Sequence, residues 1–234
     1  MKKLIFGILA GILVVFTGCK EDDGYSLGNY WIGFGVVEDV EHYKIVLDNG
    51  EVLYPLAFPG SHPDYWEDDY EYKQGDRVFV NFTILGDKTN EEGEVVAYNV
   101  KINSIKKVLT KDIVDITEEI ADSIGNDPII VKEWWIANDM LNFQLKYYGR
   151  YQLHYINLVR QPGEPDPEKQ PFELELRHNA NADAEDIPYT AYVSFNLDNL
   201  QVSGLDSVII RITSFDYENE LHQFEGVYKY GENN

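Results

Sequence analysis

Hydrophobic and polar residues alternate along several stretches of the chain, and this period of two is typical of half-buried β-strands. The alternation is clearest over residues 78–84 and 96–102, where apolar and aromatic residues occupy every second position. In the first half of the chain, five candidate strands lie at residues 30–37, 43–47, 52–56, 78–84 and 96–108. The pattern therefore predicts a β domain over residues 30–110.

The connections between these strands indicate how they are arranged. Asp48-Asn49-Gly50-Glu51 separates the second strand from the third. Asn-Gly between two apolar runs predicts a β-hairpin, in which both residues would have positive φ. A long insertion then separates the third strand from the fourth. Five strands with an insertion at this place are typical of a small closed barrel of the oligonucleotide/oligosaccharide-binding (OB) type.

The second half of the chain has a similar pattern. Seven further candidate strands lie at residues 129–136, 140–147, 151–159, 172–177, 189–197, 207–214 and 221–230. Where they alternate strictly, each strand has one buried face and one solvated face. The pattern predicts a seven-stranded antiparallel β-sandwich over residues 128–234, preceded by a linker at 111–127. The predicted fold class is all-β.

The N-terminus has the pattern of an export signal. Two lysines precede an apolar stretch from Leu4 to Phe16, and small residues lead to Cys19, the only cysteine. At about 1.5 Å per helical residue, the apolar stretch would span roughly 20 Å, which is less than the ~30 Å of a bilayer's hydrocarbon core. We therefore predict a cleaved signal peptide at residues 1–18.

The residues around Cys19 resemble a bacterial lipobox, which implies acylation of Cys19, for example with palmitate. The alternative is an ordinary signal peptide with an incidental cysteine. Lys20-Glu21-Asp22-Asp23 resembles the surface-export signal of some outer-membrane lipoproteins, and the alternative is a solvated linker. These resemblances imply a lipidated tether at residues 19–29. They also imply a protein of the cell outer membrane, exposed at the surface rather than facing the periplasm.

The chain is strongly acidic, with 41 Asp and Glu residues against 19 Lys and Arg and a formal net charge of −22. Such a charge repels nucleic acid and anionic lipid head groups. We therefore expect no nucleic-acid partner, and we expect contact with the membrane through the N-terminal lipid. Because there is no second cysteine, no internal disulfide can form.

The sequence has no signature of catalysis. The five histidines are scattered, without a pair at zinc-ligand spacing: His42, His62, His154, His178 and His222. No serine lies in a G-x-S-x-G elbow, and no glycine-rich phosphate loop opens a helix. We therefore predict that the protein is not an enzyme and uses no cofactor or metal. Among 41 carboxylates, a pair at glycosidase separation could still form by chance.

The best candidate for a binding surface is the insertion before the fourth strand. Its candidate binding residues are Asp64, Tyr65, Trp66, Asp68, Tyr70 and Tyr72. Aromatic rings can stack on a sugar or a peptide while carboxylates accept its hydrogen bonds. Alternatively, the aromatic residues cap one end of the barrel and the acids stay in water. The loop lacks the ordered ligand spacing of a calcium site.

Trp134 and Trp135 are adjacent in a candidate strand, so their side chains face opposite sides. One is therefore expected in the core and the other at the surface. We expect the outer tryptophan to mark an interface, most simply between the two domains. A platform for stacking on glycans is the alternative.

The whole chain resembles the NigD-like lipoproteins. The resemblance is carried by Cys19, by residues 22–31 and by Gly75-Asp76-Arg77-Val78, which leads into Asn81-Phe82-Thr83-Ile84-Leu85. It implies an OB-type N-terminal domain and a β-sandwich C-terminal domain, and beyond the lipidated Cys19 it supplies no family site residue. We expect a non-enzymatic lipoprotein that binds a cell-envelope or extracellular partner, either protein or glycan. One alternative is a bacteriocin-related, immunity-like role, which rests on the family's association with a bacteriocin locus. The other is a glycan-binding or hydrolase accessory role.

Overall fold

The computed structural model describes residues 24–39, 44–58 and 72–231, which form two β domains. The first domain is a closed barrel, and the second is a pair of packed sheets. This confirms the all-β fold of a five-stranded barrel followed by a β-sandwich. The predicted signal peptide, Cys19 and Lys20-Glu21-Asp22-Asp23 lie outside the described residues.

Five strands build the barrel: β1 (Trp31–Asp39), β2 (Lys44–Leu47), β3 (Val52–Ala57), β4 (Arg77–Thr89) and β5 (Val95–Lys107). They close in the order β1-β2-β3-β5-β4. β3 and β5 are parallel, and the other neighbours are antiparallel. The inward-facing side chains form an apolar core that includes Leu53, Val80 and Ile102. At most positions the alternation along the sequence is an alternation between barrel core and barrel surface. Val96 is an exception, because it is exposed while its neighbour Ala97 is buried.

The predicted hairpin joins β2 to β3, but its turn differs from the predicted one. Gly50 has a φ of +83°, whereas Asn49 is not among the residues with positive φ. The N–H of Gly50 donates to the carbonyl of Leu47 at 2.9 Å, and the N–H of Leu47 donates to the carbonyl of Glu51 at 2.8 Å. The loop therefore has three residues, in which a type I turn is followed by one left-handed residue. Only the glycine needs positive φ in such a loop.

Nine strands of the described residues build the sandwich: β6 (Leu109–Asp112), β7 (Val114–Asp115), β8 (Ile130–Ala137), β9 (Met140–Gly149), β10 (Tyr155–Arg160), β11 (Phe172–Asn179), β12 (Ile187–Asn196), β13 (Ser207–Phe215) and β14 (Leu221–Lys229). One sheet has the order β14-β13-β11-β10-β7, and the other has the order β6-β12-β9-β8. A helix α1 (Glu118–Ile124) and a 3-10 turn (Asp198–Leu200) lie between strands. Each of the seven candidate strands overlaps a strand of the structure.

The sandwich corrects two details of the prediction. β6 and β7, which fall largely in the segment predicted as a linker, pair in parallel with β12 and β10. β11 and β13 are also parallel, so the sandwich is mixed and larger than the predicted seven antiparallel strands. No residue of β6 or β7 is buried, so these short strands lack the buried apolar face by which a strand is recognised in the sequence.

The sandwich core is formed by alternate residues from both sheets. Phe143 and Phe195 come from one sheet, and Leu174 and Ile210 come from the other; all four are buried. Within residues 24–39, 44–58 and 72–231, no helix is both long and apolar enough to cross a membrane.

Candidate functional site

The two domains are joined at Asp48, in the turn between β2 and β3. Its carboxylate accepts hydrogen bonds from Trp135 Nε1 at 2.7 Å and Asn138 Nδ2 at 2.8 Å, both in the sandwich. On the barrel side, the same carboxylate forms a two-pronged ion pair with Arg77 at the start of β4. One turn residue therefore links the barrel wall to the second domain.

Arg77 is fully buried, at 0% exposure. Its guanidinium carbon lies 5.6 Å from the centre of the Phe34 ring, and its Nε has no hydrogen-bond partner among the described residues. A buried charge without a counter-charge is strongly destabilising, so the position of Arg77 depends on the Asp48 carboxylate.

Aromatic rings from both domains pack beside this ion pair. We call Phe34, Phe79, Trp135 and Tyr192 the junction cluster. Phe34 lies 4.8 Å from Phe79, 5.3 Å from Trp135 and 5.0 Å from Tyr192, measured between ring centres. Phe79 and Tyr192 are stacked with an angle of 7° between their planes. Because Phe34 and Phe79 belong to the barrel and the other two belong to the sandwich, the cluster holds the domains in one arrangement.

The two adjacent tryptophans divide as their spacing predicted. Trp134 packs against the sandwich core and lies 6.1 Å from Phe224. Trp135 points the other way, into the junction cluster and onto Asp48. The outer tryptophan therefore marks the interface between the domains, as expected.

A groove of about 570 Å³ opens beside the junction, and we call it the junction groove. It is lined by residues 31–34 of β1, by residues 47–49 and Glu51 of the hairpin, and by Glu133 and Trp135 of β8. Ile32 is 61% exposed and Trp31 is 36% exposed. A concave site at a domain boundary, with an apolar wall and a few polar groups, has the usual form of a ligand site.

The junction groove carries excess negative charge. Asp48 is neutralised by Arg77, but Glu51 and Glu133 have no ion-pair partner among the described residues. Both glutamates are exposed. The groove can therefore accept hydrogen bonds and pair with cations, while Ile32 and Trp31 contact apolar groups.

The chain before β1 is held against the barrel by Tyr25. Its hydroxyl donates to Asp87 Oδ1 at 2.6 Å, and its ring meets Trp31 and Tyr98 edge-on. This hydrogen bond, together with some burial, raises the pKa of Tyr25 to about 12. The C-terminal part of the predicted tether at residues 19–29 thus lies on the barrel, next to the junction groove.

The predicted binding loop is described only at Tyr72. Asp64, Tyr65, Trp66, Asp68 and Tyr70 lie outside the described residues. Tyr72 packs against the barrel core, and its hydroxyl donates to the carbonyl of Ile105 at 3.1 Å. Tyr72 therefore caps the barrel, and binding by the other five residues stays a prediction.

Two histidines that are distant in sequence meet inside the sandwich, and the sequence spacing did not reveal this. His154 Nδ1 lies 2.8 Å from His178 Nε2, and His178 Nδ1 lies 2.8 Å from the carbonyl of Pro128. Because a carbonyl only accepts, His178 donates through Nδ1 and accepts from His154 through Nε2. Burial lowers the pKa of His178, although the Pro128 carbonyl partly opposes this.

Asp183 extends the histidine pair, with its Oδ2 3.3 Å from His154 Nε2. Burial disfavours its charge, but main-chain N–H groups, including those of Arg150 and Tyr151, lower the pKa of the Asp183 carboxyl. The network joins the connections before β8, before β10 and before β12. These hydrogen bonds hold three connecting segments of the sandwich together, which is a structural role.

A second polar group lies in the turn between β13 and β14. Ligand atoms of Asp216, Glu220 and His222 lie within 4.8 Å of one another, a spacing that could hold a metal ion. The Asp216 carboxylate already accepts the N–H groups of Glu218 and Glu220 and contacts His222 Nε2 at 2.7 Å. To bind a metal ion, the Asp216 carboxylate would have to give up hydrogen bonds that form the turn.

Family models match both domains. The model of the NigD-like N-terminal OB domain matches residues 36–108, and that of the NigD-like C-terminal beta sandwich domain matches residues 112–225. The chain belongs to the NigD-like family. This confirms the resemblance drawn from the sequence, and the family is not a known enzyme family. No curated protein sequence matches the NigD-like chain.

Solved structures share this NigD-like fold. A toxin-related protein from Parabacteroides distasonis is 29% identical over 87% of this chain and 95% of its own, with a TM-score of 0.69. A NigD-like immunity protein from Bacteroides caccae is 19% identical over 89% of this chain and 100% of its own, with a TM-score of 0.63. A lipoprotein from Bacteroides fragilis is 9% identical over 86% and 97% of the two chains, with a TM-score of 0.53. At these last two identities, the likeness concerns the fold alone.

Proposed function

We propose that this NigD-like protein is a non-enzymatic lipoprotein, anchored in the outer membrane and exposed at the cell surface, that binds a cell-envelope or extracellular partner. The observation that carries the proposal is the junction groove. Both domains line it, and Glu51 and Glu133 in it have no ion-pair partner among the described residues. Residues that one domain could not assemble alone are thus brought to one concave surface.

The proposal of lipid anchoring is supported by the lipobox at Cys19 and the acidic segment Lys20-Glu21-Asp22-Asp23. A Bacteroides fragilis protein of the same fold is itself described as a lipoprotein.

The proposal of binding without catalysis is supported by the chemistry of the groove. Its titratable side chains are the three carboxylates of Asp48, Glu51 and Glu133. Asp48 is engaged with Arg77, Trp135 and Asn138, so its lone pairs already have partners. No histidine, cysteine or serine lines the groove within the described residues, so it lacks the side chains of a serine- or cysteine-type hydrolase site.

In-cell photocrosslinking tests this function. A photoreactive amino acid is placed at Asn49, which is exposed and lines the groove, and a matched one at the exposed Tyr155, which does not. We expect a crosslinked product of defined mass from the Asn49 position only. The absence of any product, or equal products from the two positions, would overturn the proposal.

A glycan partner is a second candidate because Trp31 is partly exposed beside the unpaired carboxylates. Aromatic stacking and carboxylate hydrogen bonds are the usual means of holding a sugar. Incubation with cell-surface oligosaccharides would then give binding that is lost in a Trp31→Ala variant. Release of smaller sugars during the incubation would indicate a hydrolase instead.

An immunity-like role is a narrower version of partner binding, in which the partner is a bacteriocin. It is suggested by the description of the Bacteroides caccae protein of this fold. Deleting the gene would then sensitise the cells to bacteriocins of neighbouring strains. Unchanged sensitivity would remove this role while leaving other partners open.

A further inference from the structure

The wall of the junction groove contains a sheet edge that the barrel does not pair. β1 pairs with β2 from Gly35, opposite Leu47, to Asp39. β1 begins four residues earlier, at Trp31, and there it pairs with β4 only. On the side that faces β2, residues 31–34 pair with no strand among the described residues.

The direction of the free main-chain groups follows from one hydrogen bond. The N–H of Asp48 donates to the carbonyl of Phe34 at 2.9 Å, so the main-chain groups of Phe34 face the hairpin side. In a strand, the main-chain groups of residues i and i−2 point the same way. The N–H and C=O of Ile32 therefore also face the hairpin side, where residues 31–34 line the junction groove.

We propose that the junction groove binds an extended polypeptide segment of the partner, which adds as a strand beside residues 31–34 and pairs with the N–H and C=O of Ile32. The inference rests on the proposed function and names the class of partner. Strand addition uses main-chain hydrogen bonds for affinity and side-chain contacts for specificity. A carbohydrate partner has no main chain and so cannot continue the sheet with alternating N–H and C=O groups.

The side chains around the edge determine which segment fits. Ile32 and Trp31 offer exposed apolar surface, and Glu51 and Glu133 offer carboxylates without ion-pair partners in the described part of the chain. An incoming strand with lysine or arginine next to apolar residues would satisfy both. The net charge of −22 favours the approach of such a basic segment.

The test uses the full chain and labelled peptides of about eight residues with alternating lysine and valine. Two control peptides carry glutamate in place of lysine, or N-methyl groups on alternate main-chain nitrogens. The protein variants are Ile32→Pro, which removes the N–H that faces the groove, and Ile32→Ala, which keeps it while removing the side chain. Fluorescence anisotropy measures binding, and thermal unfolding establishes that each variant is folded.

We expect the lysine peptide to bind the unmodified chain, and to bind the Ile32→Ala variant only about two- to threefold more weakly, because one apolar contact is lost while the main-chain pairing remains. Binding to Ile32→Pro and binding of the N-methylated peptide should each be at least about tenfold weaker, equal to about 1.4 kcal/mol. Equal binding to Ile32→Pro and Ile32→Ala, or tight binding of the N-methylated peptide to the unmodified chain, would overturn strand addition. The N-methylated peptide keeps the test decisive even if the proline variant unfolds.

The result also separates this inference from the proposed function. If no lysine peptide binds but Asn49 still gives a crosslinked product in cells, the groove has a partner of another kind and the inference is wrong. If Asn49 gives no product and no peptide binds, both fail. Binding of an oligosaccharide that is equal in Ile32→Pro and Ile32→Ala would assign the groove to glycans and overturn the inference.

Discussion

The buried guanidinium of Arg77 is held by the carboxylate of Asp48, and the same carboxylate accepts hydrogen bonds from the second domain. Arg77 is 0% exposed, and Asp48 is 17% exposed. Trp135 and Asn138 of the sandwich donate to Asp48. The stability of the barrel wall and the attachment of the sandwich thus depend on one side chain.

Replacing Asp48 is therefore expected to destabilise the whole chain. In Asp48→Ala, the buried Arg77 would lose its counter-charge, which should lower the free energy of unfolding by about 3–5 kcal/mol. Urea unfolding measures the change. Asp115→Ala is the matched control, because Asp115 is 47% exposed in its ion pair with Arg160. Losing this exposed ion pair should lower the free energy of unfolding by about 1 kcal/mol or less. Similar losses in the two variants would contradict this account of Asp48.

The contact between Phe34 and Tyr192 is expected to couple the two domains. Their ring centres lie 5.0 Å apart across the junction. In a double-mutant cycle with Phe34→Leu and Tyr192→Leu, the coupling energy should be about 0.5–1.5 kcal/mol. A second cycle of Phe34 with Tyr155, which is outside the junction cluster, should be additive. Additivity in the first cycle would mean that the rings do not stabilise one another.

Two glycines of the barrel are expected to respond oppositely to alanine. A Cβ on Gly35 would lie 2.6 Å from the main-chain oxygen of Val46, so the backbone of β1 or β2 must shift. Gly35→Ala should therefore lower the free energy of unfolding by about 1–3 kcal/mol. A Cβ on Gly86 would meet no atom within 4 Å, and Gly86→Ala should be neutral or slightly stabilising. Thermal unfolding of the two variants compares them directly.

Stability is expected to fall as the pH drops below neutrality because of His178. Its pKa is lowered in the folded chain by burial. Below about pH 6.5, the usual value for histidine, the unfolded chain binds a proton that the folded chain does not bind, so the free energy of unfolding decreases until the folded pKa is reached. Unfolding at a series of pH values between 7.5 and 5 measures this slope.

A His178→Asn variant provides the control for the pH effect. It should be less stable at pH 7.5, by about 1–3 kcal/mol, because buried partners of His178 lose a hydrogen bond. Its stability should nevertheless vary less between pH 7.5 and 5. Asp183 does not contribute to this slope. Because its pKa is lowered in the folded chain, the stability that it provides is lost only when the pH falls below the usual pKa of aspartate, which lies under this range. An unchanged slope in the variant would assign the pH dependence to another group.

Much of the fold was predictable because strand alternation is a local property. Residues 172–177 alternate strictly and residues 78–84 alternate at most positions, and both lie in strands with one face in a core. β6 and β7 were not predictable because their pairing with β12 and β10 depends on distant residues rather than on their own pattern.

The candidate site was largely hidden from the sequence. Asp48 was recognisable as a turn residue, but its partner Arg77 lies 29 positions away and Asn138 lies 90 positions away. The unpaired edge at Ile32 depends on where β2 ends relative to β1, which a period of two does not determine. Trp135 was the exception, because adjacency to a core tryptophan forces one ring outward.

If Cys19 carries acyl chains as we propose, the bond between Tyr25 and Asp87 would also limit how far the protein can stand from a bilayer. At about 3.5 Å per extended residue, the stretch from Cys19 to Tyr25 reaches roughly 20 Å at most. With the acyl chains that we propose on Cys19, the junction groove beside Trp31 would lie close to the lipid head groups. The bilayer would then block large soluble assemblies from reaching the groove, but it would not block a segment of a neighbouring membrane protein. With Cys19 acylated as we propose, Tyr25 would favour partners that meet this protein by lateral diffusion in the same membrane, where a shared surface would raise their effective concentration.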